Sequence, residues 1–432
     1  MMAGRCLQEA PNDSSRCHTV SAAPPQALSL YLHIPFCSFR CAYCDFNTYA
    51  GLEHLMAPYV AALESEIRLV GGQAAGQAGP VHTIFFGGGT PSLLSLDLIA
   101  RLLAALREAF PLTPECEITL EANPGTVDRR YLEGLRALGV NRLSLGVQSS
   151  HPHELRLLDR QHLFGDVAQA VTWARAAGFE NLNLDVIFGL PHQTLAQWQA
   201  TVLRVLGLGP DHISAYALSL EHGTPLRAWV YRGLLPMPDP DLAAEMYEWA
   251  SDELGKNGYV QYEISNWARD PVASLQSPFA TAQETRDRSL PAYACRHNVQ
   301  YWRNEPYLGF GAGAHGYAAG QRYAQVLAPA AYIARLEAGS AEPYPFSPAT
   351  AQRTPISDDE AMGEMMMMGM RLVREGVANA DFERRFGVSL EQRYGRSLRR
   401  LAALKLIEWD GTRACLTGPG RLLGNRVFRE FV

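Results

Sequence analysis

From Leu28 onward, short apolar and β-branched runs alternate with longer stretches of helical period, a pattern that predicts βα units and a parallel sheet. Six runs read as strands: 28–34 (LSLYLHI), 81–86 (VHTIFF), 116–121 (CEITLE), 142–147 (RLSLGV), 182–187 (LNLDVI) and 212–218 (HISAYAL). Amphipathic stretches such as 96–110 and 194–207 lie between them. Six units fall short of the eight of a closed barrel. The same elements can also be laid out as an open doubly wound sheet, and periodicity alone does not choose between the two.

Beyond the sixth strand come a helix over 240–256 and a short apolar run at 259–264 (YVQYEI). Residues 270–292 are rich in Pro, Ser, Thr and Gln without a period, which reads as a surface loop or insertion. From about 357 the pattern predicts a helix (359–374), a short helix (380–386), a helix (389–403), a hairpin closed at Asp410-Gly411 and a terminal helix. The expected fold class is α/β, a partial (β/α)6 TIM-like barrel followed by a winged-helix-like α+β domain. The expected divisions are a flexible extension at 1–27, the barrel at 28–269, the insertion at 270–296, a connecting segment at 297–356 and the C-terminal domain at 357–432.

The 432 residues carry a net charge of −6 and are 47% hydrophobic, with no run long enough to span a bilayer. Nucleic acid is therefore not an expected partner. Arg393, Arg396, Arg399 and Arg400 in the winged-helix-like segment raise a DNA-binding alternative, but all but two of the basic residues in this chain are arginine. A solvated helix face is the preferred reading of them. Residues 1–29 contain Asn12, Asp13 and Pro24-Pro25 where a secretory signal needs an unbroken apolar core, so a cytoplasmic location is expected. In a reducing compartment a tight group of cysteines points to a metal site rather than disulfides. Of the eight cysteines only Cys37, Cys41 and Cys44 cluster.

These three fall in the loop after the first strand, within Tyr31-Leu-His-Ile-Pro-Phe-Cys37-Ser-Phe-Arg-Cys41-Ala-Tyr-Cys44-Asp-Phe46. Their spacing is too tight for relaxed mutual disulfides, and soft thiolates suit iron–sulfur or zinc. Zinc would have to recruit His33, Asp45 or the distant Cys295 as a fourth ligand, giving a zinc-stabilised binding protein as one alternative. A 4Fe-4S cluster on three cysteines leaves one iron open for chemistry.

CxxxCxxC after a first strand, with an aromatic before the last cysteine, resembles the radical S-adenosylmethionine (SAM) superfamily. "HIPFC" at 33–37 and Gly87-Gly88-Gly89-Thr90-Pro91 narrow the resemblance to the oxygen-independent coproporphyrinogen III oxidases and their relatives, the heme chaperones of the HemW family. The resemblance covers about 28–432, broken at 270–292. It implies a 4Fe-4S cluster on Cys37, Cys41 and Cys44, and SAM contacts at Tyr31, Tyr43, Gly88, Gly89, Thr90, Glu121, Gln148, Arg160 and Asp185. Physically, acidic groups suit an ammonium or ribose hydroxyls, and arginine suits a carboxylate.

Two features separate the relatives. The oxidases usually carry a further cysteine two places after the third ligand, where this chain has Phe46, and a longer N-terminal region. Arg296-His297-Asn298-Val299-Gln300-Tyr301-Trp302 matches the HNxxYW motif associated with heme in the chaperones, implying heme contacts at His297, Asn298, Tyr301 and Trp302. A packed, hydrogen-bonded histidine is the competing reading of that motif. The resemblance thus implies a chaperone that binds heme as cargo and passes it to apo-heme acceptor proteins. Whether these are respiratory and membrane-associated, and whether the chain forms a homodimer, it leaves open. The alternative is an oxidase converting two propionates to vinyls. Met365 to Met368 are expected as core packing, and Cys295 as a buried free thiol. The chain departs from the family at Asp159 and His192, where relatives usually have glycine.

Overall fold

The computed structural model describes residues 27–74, 76–270 and 289–432. Nearly all of the expected N-terminal extension, with Cys6 and Cys17, and most of the 270–292 insertion lie outside the described residues. Strands β1 (Leu28–Ile34), β2 (Val81–Gly88), β3 (Leu112–Ala122), β4 (Arg142–Gln148), β5 (Asn181–Phe188) and β6 (His212–Ala217) pair side by side in chain order, all parallel. A sheet that grows in one direction without reversing has the winding of a barrel. A doubly wound sheet would reverse at a switch point. Burial is nearly unbroken along β1 and β4, as expected of strands covered on both faces. Helices Met56–Gln73, Leu96–Ala109, Phe164–Ala176 and Leu195–Gly207 share one core with these strands.

The sheet does not stop at six strands. On the β6 side it is extended by the antiparallel hairpin β7 (Tyr259–Glu263) and β8 (Asn266–Arg269), with β8 next to β6. On the other side β9 (Tyr307–Phe310) runs parallel to β1, and β10 (His315–Ala318), β11 (Gln321–Gln325) and β12 (Thr350–Pro355) follow antiparallel, giving twelve strands. Residues 297–356, expected as a connector, are therefore part of the barrel sheet. Glycines at 309, 311, 313 and 316 interrupt the apolar pattern there and hide β9 and β10, while β11 and β12 are mostly polar runs. The glycines are needed for close approach: a Cβ on Gly309 would collide with the His315 carbonyl oxygen. The buried Glu66 carboxylate ties this segment down by accepting from Gly311 N–H (2.9 Å), the Tyr332 hydroxyl (2.5 Å) and the Ser347 hydroxyl (2.6 Å).

The C-terminal segment forms its own three-stranded sheet, β13 (Val377–Ala378), β14 (Ile407–Trp409) and β15 (Arg413–Leu416), against helices Asp358–Gly369, Asn379–Phe386 and Leu390–Ala403. The first helix ends five residues earlier than the pattern suggests, and the terminal helix is two short pieces, Gly418–Leu422 and Gly424–Phe428. Met366 is fully buried, and Met365 and Met367 pack around the same core, in keeping with a packing role. Arg393, Arg399 and Arg400 are ion-paired with Asp359, Glu391 and Glu430. That pairing accounts for three of the four arginines as an internally balanced surface.

Candidate metal and cofactor site

A two-residue parallel ladder, Phe36–Cys37 against Tyr49–Ala50, draws together the ends of the cysteine loop. Cys37, Cys41 and Cys44 line one side of a cavity of about 420 Å³ at the C-terminal ends of the barrel strands, where barrel proteins build their sites. The same cavity is lined by Gly88 at the end of β2, Gly89 and Thr90 beyond it, Glu121 on β3, Gln148 on β4, Asp185 on β5 and Arg160, with Tyr43 from the loop itself. Tyr31 lies outside this lining. Its hydroxyl is hydrogen-bonded to His33 Nδ1 at 3.0 Å, and His33 Nε2 to the Asn47 carbonyl at 2.9 Å. His33 is thereby held in place under Gly88, where a Cβ would come within 2.6 Å of the imidazole. With φ at +109°, Gly88 also holds a backbone conformation that favours glycine.

Asn123 carries no signal of a site in the sequence, yet it lines the cavity and links Thr90 to Arg160. Its Nδ2 donates to Thr90 Oγ1 (3.0 Å) and its Oδ1 accepts from Arg160 Nη2 (2.5 Å). Thr90 Oγ1 in turn donates toward Cys37 Sγ, and Arg160 Nη1 toward Cys41 Sγ, each at 3.6 Å. One polar chain therefore brackets two of the three thiols. Asp185 is fixed from below by Ser144 Oγ at 2.9 Å and Asn183 Nδ2 at 2.8 Å.

The donor set fits a polynuclear thiolate-bound group. The three thiols are unbonded to one another and half-buried. Among the described residues, no three His, Cys, Asp or Glu side chains converge on a point for a single ion, as a zinc site requires. Burial pushes the thiols of Cys37 and Cys44 up from their ordinary value, an effect that a bound metal would reverse by deprotonating its thiol ligands. The Arg160 Nε is buried without a partner.

The HNxxYW segment lies elsewhere. Helix Arg296–Trp302 closes the N-terminal end of the barrel, held by Glu117, whose carboxylate accepts from the backbone N–H groups of Arg296 and His297 (both 3.2 Å) and from the Cys295 thiol (3.7 Å). His297 is buried, stacked on Phe85 at 5.0 Å, with Nδ1 2.8 Å from Thr83 Oγ1 and Nε2 2.9 Å from the Tyr301 hydroxyl. Thr83 gives its own proton to Ser29, so Nδ1–H donates to Thr83 and Nε2 accepts from Tyr301. Burial pushes the imidazole down to about 3, so it is neutral. The Trp302 ring is covered by the Arg371 guanidinium at 4.2 Å, and Asn298 is half-buried. The heme contacts expected of His297, Asn298, Tyr301 and Trp302 thus meet a packed plug, in which His297 has no free nitrogen for an iron.

Residues 31–205 match the radical SAM superfamily and residues 356–423 the HemN C-terminal domain. Over 412 residues the chain is 37% identical to the heme chaperone HemW of Mycobacterium tuberculosis, covering 95% of this chain and 96% of that one. It belongs to the HemW family. A second HemW, from Bacillus subtilis, is 36% identical over 405 residues, covering 94% of this chain and 99% of its own. Among solved structures, the radical SAM enzyme coproporphyrinogen III oxidase (HemN) of Escherichia coli superposes with a TM-score of 0.77 at 25% identity, covering 95% of this chain and 91% of that one. Among the described residues no helix is long and apolar enough to cross a membrane.

Against that family background the two departures have a conformational meaning. Asp159 (φ +55°) and His192 (φ +64°) both sit in the left-handed region, where a side chain costs about 1–2 kcal/mol. Asp159→Gly and His192→Gly should each raise stability by about 0.5–1 kcal/mol after the added freedom of the unfolded chain is subtracted. Thermal unfolding checks this, and a loss of stability in both variants would contradict it.

Proposed function

We propose that this chain is a heme chaperone that carries a 4Fe-4S cluster on Cys37, Cys41 and Cys44, binds SAM in the adjoining cavity and delivers heme to apo-heme proteins. The observation that carries this reading is the identity to proteins named heme chaperone HemW over nearly the whole of both chains. When bound, the cluster supplies an open iron able to chelate SAM and pass it an electron. Arg160 orients beside Cys41 and offers its cation to a carboxylate. Glu121 and Asp185 face the cavity as acceptors for an ammonium or hydroxyls, and Gly88 and Gly89 line it without side chains. The enzyme reading is favoured by the likeness to HemN, and Phe46 in place of the further cysteine counts against it.

SAM binding is expected to depend on pH through Glu121. Burial, and secondarily Asp185, push its carboxyl up to about 8, so it holds a proton below that pH. A cationic ligand beside it pulls the proton off, so affinity should rise with pH to about 8 and then level. Titration calorimetry in buffers of different ionisation heat should show proton release below pH 8 that disappears in Glu121→Gln. A flat profile would contradict the assignment.

The function itself is tested by mixing the heme-loaded chain with an apo-cytochrome of the b type and following transfer by absorbance. Heme should leave the chain and appear in the acceptor at a rate that depends on acceptor concentration. Transfer no faster than spontaneous loss to a passive heme scavenger would overturn the chaperone reading.

A further inference from the structure

Because the His297 imidazole is enclosed, the heme cargo needs another seat, and a second cavity offers one. It has a volume of about 430 Å³ and shares Ala217 and Leu218 with the cavity that faces the cysteines. Its walls are mainly apolar, from the ends of β5 and β6, helix Pro240–Lys256 and the C-terminal domain. Two features on its rim suit an iron porphyrin. Met237, a residue 59% exposed, brings a thioether on a loop stiffened by Pro236, Pro238 and Pro240. Arg421 brings a guanidinium whose Nη1 donates to Gln261 at 2.8 Å and whose Nε is buried without a partner. Among the described residues the one carboxylate on the lining, Asp239, is occupied as the cap of helix Pro240–Lys256, accepting from the N–H groups of Asp241 (2.9 Å) and Leu242 (3.3 Å).

We infer that heme binds in this groove, its ring against the apolar wall of β5, β6 and helix Pro240–Lys256, its iron on the Met237 thioether and a propionate on Arg421. The inference rests on the heme-chaperone reading above. Apolar walls with a few placed polar groups are what a flat hydrophobic ligand requires. A thioether is an attested but soft heme ligand, and an exposed one on an open groove suits a carrier that must let go. Arg421 and Leu422 come from the C-terminal domain, so the seat is complete only when that domain is docked on the barrel. The shared wall places the cargo beside the cluster cavity, which gives the cluster end of the barrel a direct route to influence heme loading.

The test is a hemin titration of the full, anaerobically reconstituted chain, with Met237→Ala, Met237→His and Ala244→Trp in parallel. Met237→Ala should weaken heme binding at least tenfold. Met237→His should restore affinity and replace the thioether-to-iron charge-transfer band of ferric heme with an imidazole spectrum. Ala244→Trp, which fills the groove from helix Pro240–Lys256, should abolish specific binding while cluster iron stays unchanged. Wild-type affinity and spectrum in all three variants would overturn the groove and leave the chaperone reading standing. Failure of the wild type itself to bind heme would overturn both.

Discussion

His297→Ala is expected to lower the unfolding free energy by about 3–5 kcal/mol and to leave heme affinity within about twofold of wild type. The magnitude follows from its surroundings. The imidazole is 1% exposed, packs on Phe85 and satisfies the hydroxyls of Thr83 and Tyr301 at once. Its removal leaves a cavity and two buried hydroxyls short of a partner, in the plug that closes the N-terminal end of the barrel. Denaturant unfolding and a hemin titration on the same preparation check both halves. Near-wild-type stability with heme binding lost would make His297 an iron ligand and refute the plug. The same residue makes the fold acid-sensitive. Its folded pKa is depressed to about 3 against an ordinary value near 6.5, so the unfolded chain takes up the proton first. Stability from this group is present above about pH 6.5 and is lost progressively as pH falls toward 3.

The second large effect concerns the cluster. Cys37→Ala, Cys41→Ala or Cys44→Ala should each reduce iron and acid-labile sulfide to near zero after anaerobic reconstitution, because two thiolates do not hold a cubane that three already leave one ligand short. Cys116→Ala is the matched control, since its thiol is buried away from the cavity lining. Full iron in all three loop variants would contradict the assignment, and iron loss in Cys116→Ala would show general destabilisation instead.

Much of this arrangement is legible in the sequence because its signals are local. The six barrel strands are apolar runs, and the structure lengthens β3 backward to Leu112 and β2 forward to Gly88 without displacing any of them. The cysteine loop is a short contiguous motif, and parallel pairing brings Gly88, Glu121 and Gln148 at or near their strand ends together with Asp185 within β5. What the sequence hides is long-range. β9 and β10 are masked by glycines whose purpose is close contact between strands that the chain order does not reveal, and β11 and β12 are polar runs without an apolar alternation. Asn123 is one of many asparagines until folding sets it between Thr90 and Arg160. Tyr31 and His297 carry the chemistry expected of ligand contacts, but the barrel turns both inward, where their polar atoms serve neighbouring side chains. The Met237 groove has no contiguous signal because two domains build it.

The chaperone and oxidase readings separate most directly in one preparation. The anaerobically reconstituted chain is titrated with hemin, and the same protein is then given coproporphyrinogen III, SAM and a reductant. Stoichiometric heme binding with no formation of protoporphyrinogen is the predicted result. SAM-dependent turnover without specific heme binding would contradict the account and make the chain an oxidase.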